Sequence, residues 1–487
     1  MMTVPLDRRD FFKWGGLAAL AAGGGAACGR SEQPAGKPDY TLRIGTGTVE
    51  LAPGHVVSTL TYNGQFPGPL LRFKEGQRTT VDVFNDTGSP EQLHWHGQHL
   101  GVDVDGSAEE GTPYVPAHGM RRISFVPGPA GFRFYHTHVV PRADLSRGQY
   151  SGLVGPVYIE PRDNGGAYDQ EIFLTLKEFE PAFTRGGDMA SDFLPGEEDP
   201  ELKARGESSM AASLARGEPR GFEVSYGAFA VNGRMLGHDD PIRVRTGQRV
   251  LMHVLNGSAT ESRSLALPGH AFNVIALDGN PVPNPAAVPV LWLGAAERIS
   301  AVVTMNNPGV WVLGDLSDDD RGHGMGVVIE YAGRGGDPAW AAPPPFKWDY
   351  RLFARLGPVP PPDRTIELLI EKRNAADNGF NVWTFNGAPF SMDTNQPVLN
   401  VQRDKRYRLR FRNASDDLHP MHLHRHTFEI TQFAGTPTAG VRKDVAMLGG
   451  YQSMDVDFVA DQPGLSLLHC HQQIHMDYGL MLLLNSA

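Results

Sequence analysis

Cysteine is almost absent from this sequence, which has only Cys28 and Cys470 among 487 residues. Positive charge is also in deficit, because 44 Lys and Arg face 55 Asp and Glu, giving a formal net charge of -11. Nucleic acid binding needs clustered positive charge, so this balance argues against a nucleic acid partner. No apolar run beyond the N-terminus is long enough to cross a bilayer, and we expect no transmembrane helix in the mature chain.

Glycine and proline, by contrast, are abundant, with 57 and 38 residues. This composition favours short strands joined by tight turns over long helices. A chain of this length is expected to fold as two or three domains.

The N-terminal stretch "DRRDFFKWGGLAALAAGGGAACG" contains two adjacent arginines, Arg8 and Arg9, before a short Ala- and Gly-rich run. This arrangement resembles a twin-arginine export signal, so residues 1–38 are predicted to be a signal and linker. A disordered basic tail is the alternative. We therefore expect a periplasmic or otherwise exported protein. "GAAC" partly resembles a lipoprotein cleavage box, which leaves a lipid anchor at Cys28 open.

Cys470 has no disulfide partner if Cys28 is removed or lipidated. A lone thiol in an oxidising compartment is either a liability or a metal ligand.

A unit of sequence repeats three times along the chain. Each copy has an Asn-Gly turn, a spacer, a strand, a second turn and an alternating strand that ends in asparagine, at Asn85, Asn256 and Asn413. Regular short strands with Gly and Pro turns indicate β-sandwiches, so the fold class is predicted to be all-β. The expected domains are residues 39–162, 163–340 and 341–487.

Ten of the 18 histidines lie in four short motifs in the first and third copies, and the middle copy has none of them. The motifs are "HWHG", "HTH", "HPMHLH" and "HCHQQIH", which supply His94, His96, His136, His138, His419, His422, His424, His469, His471 and His475. On a strand, residues i and i+2 point to the same face, so each H-x-H pair offers two imidazoles to one place. One such pair is best explained as a chance surface pair. Four pairs at matching ends of two repeats predict a metal site.

Eight imidazoles could hold zinc, copper, nickel or iron, and the cysteine decides between them. Cys470, His475 and His419 form the two-imidazole, one-thiolate set of blue-copper sites, whereas zinc sites more often have a fourth good ligand. Cys470 also stands between His469 and His471, which on a strand point to the opposite face. The peptide is therefore predicted to be a short covalent bridge between two copper sites.

These motifs make the chain resemble the multicopper oxidases, specifically the three-domain laccase-like group, over residues 39–487. The resemblance implies three consecutive cupredoxin-like Greek-key β-sandwich domains, the second a spacer without copper ligands. It implies four copper ions as cofactors, one type 1, one type 2 and two type 3. The implied ligands are His419, Cys470 and His475 for type 1, His94 and His422 for type 2, and His96, His136 and His471 with His138, His424 and His469 for the type 3 pair.

The resemblance also implies an activity. A type 1 copper takes single electrons from a phenol or aromatic amine, the Cys470 bridge passes them on, and the trinuclear cluster reduces dioxygen to water. A periplasmic Cu(I) or Fe(II) oxidase is the alternative, and a copper-free cell-division scaffold of the same fold is a third reading. The 15 methionines are scattered, with no Met-rich segment, which favours the phenol oxidase. The expected protein is a monomer.

Two positions bear on mechanism. The axial position of the type 1 copper falls ten residues after the cysteine, at Leu480, and this implies a site without a strong axial ligand and with a raised potential. Met481, one place later, is the alternative and requires a shift in strand register.

Proton supply is the second point, because dioxygen reduction consumes protons. Asp105, in "GVDVDG", matches the family's acid after the first motif and is expected to be a catalytic proton relay; a simple turn aspartate is the alternative. Other members have an acid in or just after the last motif, where this chain has Gln472, Gln473 and Met476. Asp477 is nearby, which leaves the second proton route open.

Overall fold

The computed structural model describes residues 36–162, 166, 168–185, 191–218, 220–355 and 357–487. The arginine pair of the predicted export signal and Cys28 lie outside these residues.

The first domain consists of two four-stranded sheets. Its strands are β1 (Tyr40–Ala52), β2 (His55–Tyr62), β3 (Leu71–Lys74), β4 (Thr79–Asn85), β5 (His94–His96), β6 (Gly119–Phe125), β7 (Gly131–His136) and β8 (Val154–Glu160). The sheet orders are β2-β1-β4-β6 and β3-β8-β7-β5. The first two histidine motifs are therefore neighbours at one edge of the second sheet, on β5 and at the end of β7.

The second domain has a six-stranded and a five-stranded sheet. Its strands are β9 (Gln170–Thr184), β10 (Glu223–Val231), β11 (Ile242–Val244), β12 (Arg249–Asn256), β13 (Arg263–Ala266), β14 (Phe272–Leu277), β15 (Asn280–Val288), β16 (Val290–Leu293), β17 (Arg298–Thr304), β18 (Val310–Gly314) and β19 (Gly326–Tyr331), and its helices are α1 (Pro200–Ala215) and α2 (Asp318–Gly322). The sheet orders are β10-β9-β12-β17-β14-β15 and β11-β19-β18-β13-β16.

The third domain has a seven-stranded and a five-stranded sheet. Its elements are β20 (Arg364–Asp377), β21 (Phe380–Phe385), β22 (Val398–Val401), β23 (Arg406–Asn413), β24 (His419–Leu423), β25 (Phe428–Phe433), β26 (Thr436–Pro437), β27 (Arg442–Lys443), β28 (Val445–Leu448), β29 (Ser453–Val459), β30 (Gly464–Cys470), α3 (Gln473–Asp477) and β31 (Met481–Ser486). The orders are β21-β20-β23-β29-β25-β26, with β27 against β25, and β22-β31-β30-β24-β28. The predicted all-β fold is confirmed. Short 3₁₀ segments occur at Gly148–Tyr150 and Tyr350–Phe353, and none of the helices in the described ranges is long and apolar enough to span a membrane.

The repeat has a structural basis in three equivalent hairpin turns. Asn63, Asn232 and Asn386 have positive φ angles of 55°, 52° and 52°, and the glycine after each also has a positive φ. Two successive positive φ angles define a type I′ turn, which Asn-Gly favours because its twist matches that of the flanking strands. Each asparagine Oδ1 accepts a backbone N–H of a neighbouring strand at 2.7–2.8 Å.

The asparagines that end the alternating strands are equivalent as well. Asn85, Asn256 and Asn413 are buried, and the amide of each donates to two backbone carbonyls later in the chain. Each Oδ1 accepts the N–H two residues later. In the third domain, the loop fixed in this way leads directly into β24 and the third histidine motif.

Helix α1 lies in the polar segment where the sequence predicts an insertion with some helix. Asp199 caps its N-terminus by accepting two backbone N–H groups, which supplies partners for otherwise unpaired donors. The helix packs on the third domain, where Ser209 Oγ donates to the Lys372 carbonyl at 3.0 Å. A Cβ at Gly206 would lie 2.5 Å from the Ala414 carbonyl oxygen, so this close approach requires glycine.

Candidate metal centre

Strand pairing brings the H-x-H motifs together within each domain. In the first domain, β5 and β7 are antiparallel, with His94 opposite His136. In the third, β24 and β30 are antiparallel, with His422 opposite His469. Because side chains alternate between the two faces of a strand, each pairing gathers imidazoles on one face.

The two domains face each other through these imidazoles. The ring of His94 stacks on His424 at a centroid distance of 4.0 Å, and His96 stacks on His422 at 3.8 Å. The eight rings form three groups in which all ligand atoms lie within 4.8 Å of one another: His94, His96 and His422; His96, His136 and His471; His138, His424 and His469. Every group takes histidines from both domains, so the site exists only where the first and third domains meet.

Backbone carbonyls select one nitrogen on several of these rings. The Nδ1 of His94 donates to the Asp105 carbonyl at 2.9 Å, and the Nδ1 of His422 donates to the Asp444 carbonyl at 2.7 Å. The Nδ1 atoms of His136 and His469 are bound to carbonyls in the same way, both at 2.8 Å. Each of these rings therefore presents its Nε2 lone pair to the group.

The remaining nitrogens fit a metal. Six buried ring nitrogens of the cluster have no hydrogen-bond partner among the described residues, namely His94 Nε2, His138 Nδ1, His138 Nε2, His422 Nε2, His471 Nδ1 and His471 Nε2. A buried polar atom without a partner is costly. Metal coordination removes that cost at one nitrogen of each of these four rings.

Burial keeps the imidazoles in the form that metals require. The pKa values of seven of these rings are well below the ordinary value, first because burial disfavours the charged form and then because other imidazoles or cations lie close by. This holds for His96, His136, His138, His422, His424, His469 and His471. Neutral rings offer lone pairs, so these seven rings are in the form that binds cations.

A separate group contains the thiol. The Sγ of Cys470 lies 3.5 Å from the Nδ1 atoms of both His419 and His475, and those two nitrogens are 3.1 Å apart. The thiol is fully buried, and burial raises its pKa, so a bound cation is needed to hold it as thiolate. The ring of Trp383 packs against both imidazoles, with centroid distances of 4.8 Å to His419 and 4.2 Å to His475.

The two candidate axial residues lie in different surroundings. Leu480 is fully buried in the same apolar cluster as Cys470. Met481 lies opposite His469 in the register of β30 and β31 and belongs to another apolar cluster, with Leu467. Because side chains alternate along a strand, Met481 shares the face of His469, and Leu480 lies on the same face as the Cys470 thiol.

The structure brings Asp105 into the imidazole cluster. Its Oδ2 lies 3.0 Å from His424 Nδ1 and 3.1 Å from His94 Nδ1, while the buried Oδ1 has no partner among the described residues. Asp477 instead accepts the Arg142 N–H at 2.7 Å and the Gln473 side-chain amide at 2.6 Å, and burial raises its pKa to about 8.

Sequence reasoning missed two acids that follow Asp105 in the same loop. The carboxylate of Glu110 lies 3.5 Å from His424 Nδ1, and that of Glu109 lies 3.7 Å from His138 Nδ1. Burial raises the pKa of both, and at Glu110 the neighbouring Asp105 adds to the effect. The signal was present as "SAEEG", but only the folded loop turns these carboxyls inward.

The chain is similar to known proteins in both sequence and fold. Three family models described as multicopper oxidase match residues 43–164, 205–326 and 360–487. The multicopper oxidase MmcO of Mycobacterium tuberculosis is 31% identical, covering 97% of this chain and 96% of that protein. Laccase-3 of Thanatephorus cucumeris is 24% identical, covering 92% and 91%. The crystal structure of a multicopper oxidase from Pseudomonas thermotolerans has a TM-score of 0.66 and 26% identity, covering 92% of this chain and 98% of that one.

The chain therefore belongs to the multicopper oxidase family. It is a copper-binding oxidoreductase of the three-domain, laccase-like type, and the predicted cupredoxin-like architecture is confirmed.

Proposed function

We propose that this protein is a laccase-like oxidase that couples one-electron oxidation of phenols or aromatic amines to four-electron reduction of dioxygen to water. The observation that carries the proposal is the position of Cys470, which belongs to one three-ligand group while His469 and His471, its chain neighbours, belong to two others. A single peptide segment thus connects the site that accepts electrons with the site that uses them.

These groups support the proposed ligands of four copper ions. His419, Cys470 and His475 would hold type 1 copper, with the buried Leu480 as the candidate neighbour on the side of the thiol. His94 and His422 hold type 2 copper, and the remaining six imidazoles, His96, His136, His138, His424, His469 and His471, hold the type 3 pair. Copper bound here supplies the redox chemistry, since thiolate and imidazole ligation suits the Cu(I)/Cu(II) couple.

Asp105 is proposed as the proton relay. Its Oδ2 lies 3.0 Å from the Nδ1 of His424 and 3.1 Å from the Nδ1 of His94. The Asp105 carboxyl, with Glu110 beside it, can hold a proton next to the imidazole cluster, and this is the position that a general acid needs.

A cavity beside the type 1 group limits the size of the reducing substrate. Its volume is about 270 Å³, and its wall includes Met210, Tyr451 and Ser415. The Ser415 hydroxyl lies 3.0 Å from His419 Nε2, so a molecule in the cavity is separated from the copper ligand by one side chain. Pockets for drug-sized ligands start at about 300 Å³, so single-ring phenols fit better than larger aromatics.

One observation favours a second function. Glu207 and Met210 line the same cavity, and a thioether suits Cu(I) while a carboxylate suits Fe(II) as the reductant. We also propose, from the arginine pair at the N-terminus alone, that the protein is exported through the twin-arginine pathway.

Oxygen uptake by the copper-loaded protein distinguishes the two functions, with a methoxyphenol and with Cu(I) as alternative reductants. The laccase proposal predicts rapid uptake with the phenol and no change in that rate for Glu207→Gln. Uptake mainly with Cu(I), reduced by Glu207→Gln but not by Glu201→Gln on the same helix, establishes the metal oxidase instead.

A further inference from the structure

Arg298, at the start of β17 in the second domain, reaches a fully buried position beside the imidazole cluster. Its Nη1 donates to Asp444 Oδ1 and its Nη2 to Asp444 Oδ2, both at 2.6 Å. Two parallel bonds between a guanidinium and a carboxylate fix both distance and orientation, which a lysine cannot do.

Asp444, in the third domain, uses the same carboxylate to contact a proposed copper ligand. Its Oδ1 lies 3.0 Å from His96 Nε2, and Arg133 of the first domain donates to its Oδ2 at 3.3 Å. A carboxylate only accepts hydrogen bonds, so this contact places the hydrogen of His96 on Nε2 and leaves the lone pair on Nδ1. That Nδ1 lies 3.4 Å from His136 Nε2, inside the cluster.

The backbone of Asp444 orients a second ring. Its carbonyl accepts the Nδ1–H of His422, the ring that stacks on His96 at 3.8 Å. One residue therefore selects the metal-facing nitrogen of two imidazoles from two domains.

The second domain also holds the backbone around Asp444. Asp278 Oδ1 accepts the N–H of Arg298 at 2.9 Å, and its Oδ2 accepts the N–H groups of Asp444 and Val445 at 3.2 and 3.0 Å. Lys443 Nζ also forms an ion pair with Asp278 Oδ2 at 2.9 Å. All four charged side chains are fully buried, so removing one weakens the pairing of the others in a place without water.

We propose that Arg298 is a positioning residue of the trinuclear copper site, acting through Asp444 on His96 and His422. The second domain, which contains none of the ten motif histidines, is thereby part of the copper site and not only a spacer. This inference rests on the ligands assigned under the proposed function.

Arg298→Lys in the full copper-loaded chain tests the proposal, because it keeps the charge and removes the paired hydrogen bonds. We expect the copper content to fall below that of the wild type, the type 2 signal in electron paramagnetic resonance to be lost or changed, and dioxygen reduction to slow at least tenfold. The blue absorption of the type 1 site is expected to persist. Asp444→Asn should give the same pattern.

Arg263→Lys is the matched control. Arg263 is another buried arginine of the second domain, which pairs with Asp320 at 2.9 Å and stacks on Phe229, away from the cluster. This variant should keep the wild-type copper content and spectra. Thermal unfolding of the copper-free proteins measures the loss of stability that any buried arginine variant suffers.

The proposal is overturned if Arg298→Lys keeps the wild-type copper content and type 2 signal, or if Arg263→Lys changes them equally. Loss of blue absorption in parallel with the cluster signals also overturns it, since that pattern reports unfolding. If Arg298→Lys does not fold, the isosteric Asp444→Asn decides by the same readouts. A wild-type protein that binds no copper refutes the proposed function instead, which keeps the two failures distinct.

Discussion

Cys470 Sγ lies 3.5 Å from the Nδ1 of His475, which follows it by five residues. The chain leaves β30 at the cysteine and forms the short helix α3, so the later histidine returns beside the thiol. His419 approaches from the adjacent strand at the same distance. A sequence-local turn and one strand pairing are thus sufficient to assemble the three-ligand group.

Replacing the thiol should remove one copper site and leave the other. We expect Cys470→Ser to lose the blue absorption and one copper ion, because a hydroxyl does not replace a thiolate as a ligand of this site. The imidazole cluster should keep its copper. Metal analysis and visible absorption measure both effects, with Cys28→Ser as the control that stays blue; a blue Cys470→Ser protein refutes the assignment.

The axial residue is tested by exchanging the two candidates. Leu480→Met should place a thioether near the copper and lower the reduction potential of the type 1 site. Met481→Leu should leave the potential unchanged, because that side chain packs in a separate cluster with Leu467. Potentiometric titration of the blue absorption measures both. The opposite pattern would identify Met481 as the axial ligand.

Asp105→Asn should slow the half-reaction with oxygen. General acid catalysis is typically worth a factor of about 100 or more, so a fall of that size in turnover is expected. Anaerobic reduction of the blue site by the phenol should proceed at the wild-type rate. Stopped-flow absorption separates the two halves, and Asp103→Asn, an exposed residue of the same loop, is the control. Equal slowing of both halves would contradict the relay.

The contact of α1 with the third domain should be sensitive to one methyl group. A Cβ in Gly206→Ala would lie 2.5 Å from a carbonyl oxygen, and overpacking of this kind costs about 1–3 kcal/mol. The rate of phenol oxidation should fall as well. The added methyl group displaces Ala414, and the next residue, Ser415, contacts His419. Differential scanning calorimetry measures the stability. Gly322→Ala, which meets nothing within 4 Å, should unfold like the wild type; a stable Gly206→Ala would refute the close packing.

Much of the fold is readable from the sequence because it is encoded locally. The three Asn-Gly turns and the alternation of β23, in which Tyr407, Leu409 and Phe411 are buried, depend on residues only a few positions apart. The imidazole groups were predictable for a related reason, since the two-residue period of a strand sets the direction of each H-x-H pair.

The contacts that orient the ligands were not predictable. Arg298 and Asp444 are 146 residues apart and belong to different domains, so no local pattern relates them. The inward direction of Glu109 and Glu110 depends on the path of a loop, and acidic loop residues usually face solvent. Such features arise from packing between domains, which periodicity does not describe.

The ratio of phenol oxidised to dioxygen consumed tests the central claim most directly. It is measured with the copper-loaded protein, an oxygen electrode and a peroxide assay. Coupling of a one-electron site to a four-electron site predicts four phenols oxidised per dioxygen with no hydrogen peroxide. Two phenols per dioxygen, with peroxide accumulating, would show that the imidazole cluster does not carry out the complete reduction and would contradict the account.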